Sequence, residues 1–223
     1  MWLKSVNESI GVRDGYKRAF DLTVIIIAYI LLLPLWLIVW IFVPLAIWLE
    51  DRGPVFYAQE RVGRRGKHFQ VLKFRTMIRD AESLTGQVLA AEDDPRLTRV
   101  GKILRKLHLD ETPQVINIVK GEMSLVGPRP ERPALTEQFS REVPGFPERL
   151  RVRPGIAGLA QVRGSYWTDP GYKLKYDNLY IETMSPWLDC KLLVLAVWVA
   201  IKRVFYGPDA SVADNGAETD QTQ

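Results

Sequence analysis

The chain is poor in the residues on which many catalytic centres are built. It has one cysteine, Cys190, and two histidines, His68 and His108. A single thiol cannot form an intrachain disulfide and no Cys/His cluster has zinc-ligand spacing, which points to a reducing compartment and excludes a structural zinc site. There is no GxSxG, no HExxH and no GxGxxG ahead of a helix. Gly63-Arg64-Arg65-Gly66-Lys67-His68 has too few residues between its glycines for a P-loop and lacks the Ser/Thr after lysine. Serine hydrolase, zinc protease and dinucleotide-binding readings lose their usual support. Residues 208–223 contain no Lys or Arg but hold Asp209, Asp214, Glu218 and Asp220, and read as an acidic disordered tail. Without that tail the formal charge of +4 doubles. A basic body calls for an anionic partner: nucleic acid, lipid headgroups or a phosphorylated substrate.

What the chain does have is apolar residues, 47% of its 223, enough for one domain, or one domain with an appendage. Seven Trp and eight Tyr suit a lipid–water interface. From Leu22 to Leu49 no residue is charged. As one straight helix this run reaches roughly 42 Å, more than the ~30 Å hydrocarbon core requires. It reads as a membrane segment, and Glu8, Asp14 and Asp21 upstream argue against a cleaved leader. Pro34 interrupts it, because an interior proline removes a backbone hydrogen bond and clashes with the preceding turn. The arms Leu22 to Leu33 and Leu35 to Leu49 reach roughly 18 and 22 Å, each short of a crossing. Lys4, Arg13, Lys17 and Arg18 precede the run, and Arg52, Arg61, Arg64, Arg65 and Lys67 follow it. Both flanks are positive, as cytoplasmic flanks tend to be. Two readings fit: a proline-kinked spanning helix, or a helix-break-helix that enters and leaves on one side.

Residues 51–207 carry the soluble chemistry. Gln70 to Met77 looks like a short strand that points Lys73 and Arg75 to one face. Val100, Ile103, Leu104 and Leu107 mark an amphipathic helix with Lys102, Arg105 and Lys106 off its apolar stripe. A second helix is expected from about Asp110 to Lys120, with Pro113 in its first turn and Gly121 as its stop. Leu192 to Ile201 is apolar and too short to cross a bilayer; it fits a core helix or an interfacial one.

Asp110 and Glu111 are adjacent carboxylates at the expected helix start. They can be a cap and a dipole partner. They can also be a reaction centre, because a carboxylate attacks phosphorus once cations neutralise the repulsion between two anions, and its neighbour can bind a metal or a proton. Arg129 lies between Pro128 and Pro130, which limit where its guanidinium can go; a rigid fork suits bidentate phosphate binding, although a plain surface turn has the same look. Lys73, Arg75 and Arg105 are further candidate phosphate partners, each of a type usually solvated.

The sequence resembles the bacterial sugar transferases, the monotopic polyprenol-phosphate phosphoglycosyl transferases. The resemblance runs from Lys17 to about Gly207 and is carried by Lys17-Arg18-Ala19-Phe20-Asp21, Gly53-Pro54-Val55-Phe56, Gln59-Glu60-Arg61-Val62-Gly63 and Lys73-Phe74-Arg75-Thr76-Met77. Leu109-Asp110-Glu111, Gly127-Pro128-Arg129-Pro130, and Arg153-Pro154-Gly155-Ile156 with Gln161 complete it. It implies a helix-rich α+β protein: residues 1–50 as an N-terminal segment with a re-entrant membrane helix broken at Pro34, 51–207 as a small catalytic domain with short strands and interfacial helices, and 208–223 as the tail. It further implies a site on the cytoplasmic face of the bacterial inner membrane, among membrane lipids, that moves a sugar-1-phosphate from a UDP-sugar to undecaprenyl phosphate. UMP is released and cell-surface glycan assembly begins. In that reading Asp110 is the nucleophile, Glu111 assists, Mg²⁺ sits on Asp110 or Glu111, and Lys73, Arg75, Arg105 and Arg129 hold phosphate oxygens. Asp177 and Asp189 match acidic positions of the family. Two departures stand out. Leu33-Pro34 replaces the family's frequent Ser-Pro, and Arg163-Gly164-Ser165 replaces Asn-Gly-Arg, which leaves Arg163 as the candidate nucleotide contact. A metal-dependent phosphohydrolase and a membrane-tethered nucleic-acid-binding module are the rival readings; the resemblance implies no nucleic acid.

Overall fold

The computed structural model describes residues 14–79, 81, 94–163 and 169–206. The expected acidic tail, the upstream Lys4 and Arg13 and the Gly164-Ser165 departure lie outside these. Helix α1 (Lys17–Leu31) opens with two charges turned inward, Lys17 and Asp21, 3% and 1% exposed. The Lys17 ammonium donates to the Val126 carbonyl and to the Asp189 carboxylate, both at 2.8 Å. Asp21 accepts from the Ser124 hydroxyl and the Leu125 amide, and Asp189 also accepts from the hydroxyls of Tyr16 and Tyr180. Lys17 and Asp189 pair with each other, and all three buried charges are hydrogen-bonded, the condition under which burial is tolerated.

The apolar run breaks at Leu32, whose φ of −110° and ψ of 24° leave the helical region. Helix α2 (Leu33–Asp51) then starts with Pro34 in its first turn, where a missing N–H costs no hydrogen bond. The break therefore falls where the proline points. One expectation fails: with 19 residues and a mean hydropathy of 2.0, α2 is by itself long and apolar enough to cross a membrane. The proline shortens it little because it stands at the start, and the helix runs on through Glu50 and Asp51. At the break the helices lean together: the Trp36 ring stacks on Tyr29 at 4.6 Å and donates to the Ala28 carbonyl, while the Trp40 indole donates to the Tyr29 hydroxyl.

The far end of α2 docks on the same globular body as the near end of α1. Val39 and Ile47 pack with Phe74 and Leu104. Asp51 pairs with Arg75, and Glu50 accepts from the amides of Arg99 and Val100. Strands β1 (Phe56–Val62) and β2 (His68–Phe74) form an antiparallel hairpin that sets Phe56 opposite Phe74 and Tyr57 opposite Lys73. The strand expected to reach Met77 stops at Phe74; the Arg75 amide turns to the Val55 carbonyl, and Met77 makes only an isolated bridge with Leu97.

Helix α3 (Arg99–Lys106) is capped by the Thr98 hydroxyl, which accepts from the Gly101 amide. Gly101 lies against the Thr76 backbone so closely that a Cβ would sit 2.0 Å from the carbonyl oxygen, so only glycine permits this approach. After α4 (Gln114–Lys120), Gly121 takes a φ of 82° and ends the helix. Strand β3 (Ser124–Val126) pairs in parallel with β4 (Gly155–Ala157), with α5 (Pro133–Glu142) and a 3₁₀ turn (Phe146–Arg151) between them. Helices α6 (Leu159–Arg163), α7 (Pro170–Thr183) and α8 (Pro186–Tyr206) complete the described chain. The apolar stretch 192–201 is the middle of the 21-residue α8: Leu192 is buried with Val126, Val152 and Tyr180, as a core helix requires, whereas Trp187, Val194, Val197 and Trp198 are exposed.

Lys17→Met leaves Asp189 buried without its cation and is expected to cost about 3–5 kcal/mol. Thermal unfolding in detergent checks this, and Lys17→Met with Asp189→Leu is expected to recover a large part of the loss.

Candidate active site

His108 adopts a left-handed conformation, φ 55° and ψ 19°, and turns the chain out of α3 into a 3₁₀ turn, Leu109–Glu111. The helix expected from Asp110 to Lys120 is therefore split, and α4 begins only after Pro113. No side-chain cap bond is made at either start, so the capping alternative for the two acids is not realised.

Instead the carboxylates meet cations. Lys73, from β2, places its Nζ 2.6 Å from Glu111 Oε1 and 3.8 Å from Asp110 Oδ2. Arg129 grips Glu111 through Nη2 at 2.5 Å on Oε1 and through Nη1 at 3.4 Å on Oε2. Burial pushes the Asp110 carboxyl above its ordinary value, Lys73 opposes that, and the adjacent Glu111 charge adds to it. Burial acts the same way on Glu111, but Arg129 and Lys73 outweigh it and hold this carboxyl well below the usual range. Two neighbouring acids are thus driven apart: one is a firm anion, the other more readily protonated.

The remaining sequence-derived candidates divide. Arg105 donates to the Thr76 hydroxyl at 3.0 Å and is close enough for its charge to lower the Asp110 pKa. Arg75 is buried on Asp51, so the shared face with Lys73 ends at the strand's last residue and this guanidinium anchors α2 instead. Asp189 binds Lys17 and the two tyrosines. Asp177 is buried in a pair with Arg149, whose Nη2 lies 2.8 Å from Oδ2. Burial raises the Asp177 carboxyl, with Arg149 opposing. Arg163 is exposed at the end of α6, its carbonyl accepting from the Tyr172 hydroxyl.

Beside Glu111 lies a cavity of about 770 Å³, whose lining includes neither Asp110 nor Lys73. Val24, Ile25 and Ala28 of α1, Trp36 of α2, and Leu193 and Val197 of α8 contribute an apolar wall. Its polar lining includes Glu111 and Arg129, together with Arg61, His108, Glu131, Arg149 and Lys173. These last five escaped the sequence reading. Arg61 stood in the Gln59 to Gly63 block and Glu131 directly after Pro130; His108, Arg149 and Lys173 had no such signal and are brought in by tertiary contacts, such as Lys173 on Glu131 at 3.1 Å.

The family resemblance implies Mg²⁺. Among the described residues no group of three or more His, Cys, Asp or Glu could hold a metal. An all-protein cage is therefore not what these residues form. The donor set fits Mg²⁺ in its other habit, one or two carboxylates completed by substrate phosphates and water. Both Glu111 oxygens are engaged by cations, whereas Asp110 has Lys73, at 3.8 Å, as its ion-pair partner. Of the two acids, Asp110 has the fewer cation contacts.

Because Lys73 lowers the Asp110 pKa, Lys73→Gln is expected to move the Asp110 titration to higher pH. A ¹³C-carboxyl titration reads this shift, and an unchanged or lowered midpoint contradicts the electrostatic assignment.

The bacterial sugar transferase family matches residues 12–203. Over 194 residues the chain is 42% identical to a UDP-N-acetylgalactosamine-undecaprenyl-phosphate N-acetylgalactosaminephosphotransferase of Aeromonas hydrophila, a match covering 86% of this chain and 44% of the relative. It is 40% identical over 189 residues to an undecaprenyl-phosphate glucose phosphotransferase of Komagataeibacter xylinus, covering 81% of this chain and 35% of that one. A putative undecaprenyl-phosphate N-acetylgalactosaminyl 1-phosphate transferase of Bacillus subtilis is 46% identical over 151 residues, 66% of this chain and 82% of the relative. The chain spans less than half the length of the first two relatives. The match runs through α1, the paired acids, the Arg129 turn and nearly all of α8, so the chain belongs to the bacterial sugar transferase family.

Proposed function

We propose that the protein transfers a sugar-1-phosphate from a UDP-sugar to undecaprenyl phosphate through a covalent sugar-phosphoryl-aspartate on Asp110. The observation that carries this reading is the cavity, charged where Glu111 and Arg129 line it and apolar where α1, α2 and α8 wall it. A phosphate on a long hydrocarbon tail is an acceptor of that shape, and relatives named for undecaprenyl phosphate support the choice. Those relatives are named for different sugars, and the reading assigns none.

The chemistry has to bring one anion to another. At rest Lys73 and Arg129 sit on Glu111, and Lys73 also reaches Asp110. As the diphosphate enters, its oxygens take up donors of these two side chains, and the charge opposing attack is neutralised in a largely buried site. Ionised Asp110 then bonds to the β-phosphorus, the bond from that phosphorus to the bridging oxygen breaks, and UMP leaves with the oxygen. In the second half an oxygen of undecaprenyl phosphate bonds to the same phosphorus, the bond to Asp110 breaks, and the carboxylate is restored. Bound Mg²⁺ would supply further neutralisation of phosphate charge, with Asp110 as its protein ligand. Glu111 stays anionic throughout and keeps Lys73 and Arg129 aimed at the dyad.

The helix pair α1–α2 is read as re-entrant. Its support is the docking of Lys17 and Asp21 at one end, and of Glu50 and Asp51 at the other, on one body. In this reading the site lies at the cytoplasmic headgroups, where a water-borne donor and a membrane-borne acceptor can alternate.

Asp110→Asn is expected to reduce UMP release by at least about a thousand-fold while the protein stays folded. Assay with UDP-sugar and undecaprenyl phosphate checks it; full turnover by the variant, or free sugar phosphate formed without need of the lipid, contradicts the reading. In a Cys190→Ser background, Gly15→Cys and Lys67→Cys are expected to react with an impermeant thiol reagent from the cytoplasmic side only. Labelling from opposite sides contradicts re-entry.

A further inference from the structure

Three consecutive carbonyls run through the turn that carries Arg129, and each is tied. The Pro128 carbonyl accepts from the Gly155 amide at 2.9 Å, that of Arg129 from Arg149 Nη2 at 2.8 Å, and that of Pro130 from Arg61 Nη1 at 3.0 Å. The prolines fix their own φ angles, yet they do not set where the turn stands against Glu111. Of the two arginines, Arg149 is the one anchored by a buried acid. Its side chain is 4% exposed and that of Asp177 2%, and its Nε and Nη2 meet Asp177 Oδ2 at 2.9 and 2.8 Å. Glu131 Oε1 stands 3.8 Å from its third nitrogen, Nη1.

A buried ion pair is an inefficient way to hold α7 against the 3₁₀ turn, because apolar residues of like volume do this as well or better. What a planar guanidinium adds is direction: its fork can face a carboxylate and a carbonyl at once. We propose that Asp177 and Arg149 form a strut that positions Arg129, with Asp177 orienting the Arg149 guanidinium and Arg149 holding the Arg129 carbonyl so that the Arg129 side chain meets Glu111 and the incoming phosphate. Both line the cavity, and the proposal assigns them positioning rather than contact with the reacting atoms. The proposal rests on the phosphoglycosyl transfer reading, and it gives Asp177 a place in that reaction different from contact with substrate.

The test is Arg149→Lys in the full chain reconstituted with UDP-sugar and undecaprenyl phosphate. Lysine keeps the buried charge paired with Asp177, but one ammonium cannot span the carboxylate and the carbonyl together. If the strut aims Arg129, kcat falls about ten- to a hundred-fold, since a displacement near 1 Å at a reacting centre costs up to about a hundred-fold. KM for the UDP-sugar rises as well, because Arg129 also meets the diphosphate as it enters. In an Arg129→Gln background, Arg149→Lys then lowers kcat by no more than about two-fold. A kcat within about two-fold of the parent, or an equal fall in both backgrounds, overturns the strut. Asp177→Asn is read by the same cycle should Arg149→Lys lower the unfolding temperature enough to remove folded protein. A parent chain that forms no lipid-linked product overturns the transfer reading itself, whereas an active parent with indifferent variants overturns only the strut.

Discussion

Two carboxylates on adjacent residues can share a mostly buried turn only if something takes the charge of one of them. Lys73 and Arg129 do so for Glu111. That balance leaves Asp110 beside a cation but not locked to it, in surroundings where burial disfavours its charge. A carboxylate in that condition is desolvated and paired less tightly than its neighbour, the state that the proposed attack on phosphorus calls for. The supporting architecture can be followed outward from this point. The hairpin presents Lys73, the proline-flanked turn presents Arg129, and the glycine at 101 lets α3 approach Thr76 closely enough to deliver the acidic turn.

A second constraint couples the site to the apolar helices. The apolar helices are joined to the body by charges, Lys17 and Asp21 at one end, Glu50 and Asp51 at the other. Apolar faces alone would slide, since a bilayer satisfies Leu and Ile as well as a protein does; buried polar bonds have no substitute in lipid. The same helices then supply the apolar wall of the cavity that Glu111 and Arg129 line. One set of anchors thus places a charged pocket and a hydrocarbon-lined groove side by side.

Much of this was legible in the chain itself. Pro34 marked the break, because a proline's missing donor has a local consequence that needs no partner to be predicted. Asp110, Glu111, Lys73 and Arg129 were legible as candidates, since each belongs to a short block with its own geometric constraint, and the structure brings these four charges together. Legibility failed where position depends on distant residues. Arg75 shares a strand parity with Lys73, yet the strand ends at Phe74 and Asp51 captures the guanidinium. Asp189 carried a signal as an acid but not as the partner of Lys17, far away in sequence. The length of α2 was missed because its proline was counted as an interruption rather than a first-turn residue. Arg149, Lys173 and Arg61 stand on three separate elements and converge only through Glu131, a convergence that no periodicity records.

The central claim is that Asp110 becomes covalently loaded. Mass spectrometry of the chain incubated with a UDP-sugar, without lipid acceptor and quenched rapidly, addresses it most directly. The account predicts a sugar-phosphate adduct on the peptide containing Asp110, discharged when undecaprenyl phosphate is added. Lipid-linked product formed with no adduct at any time, or an adduct that maps to another residue, would contradict it.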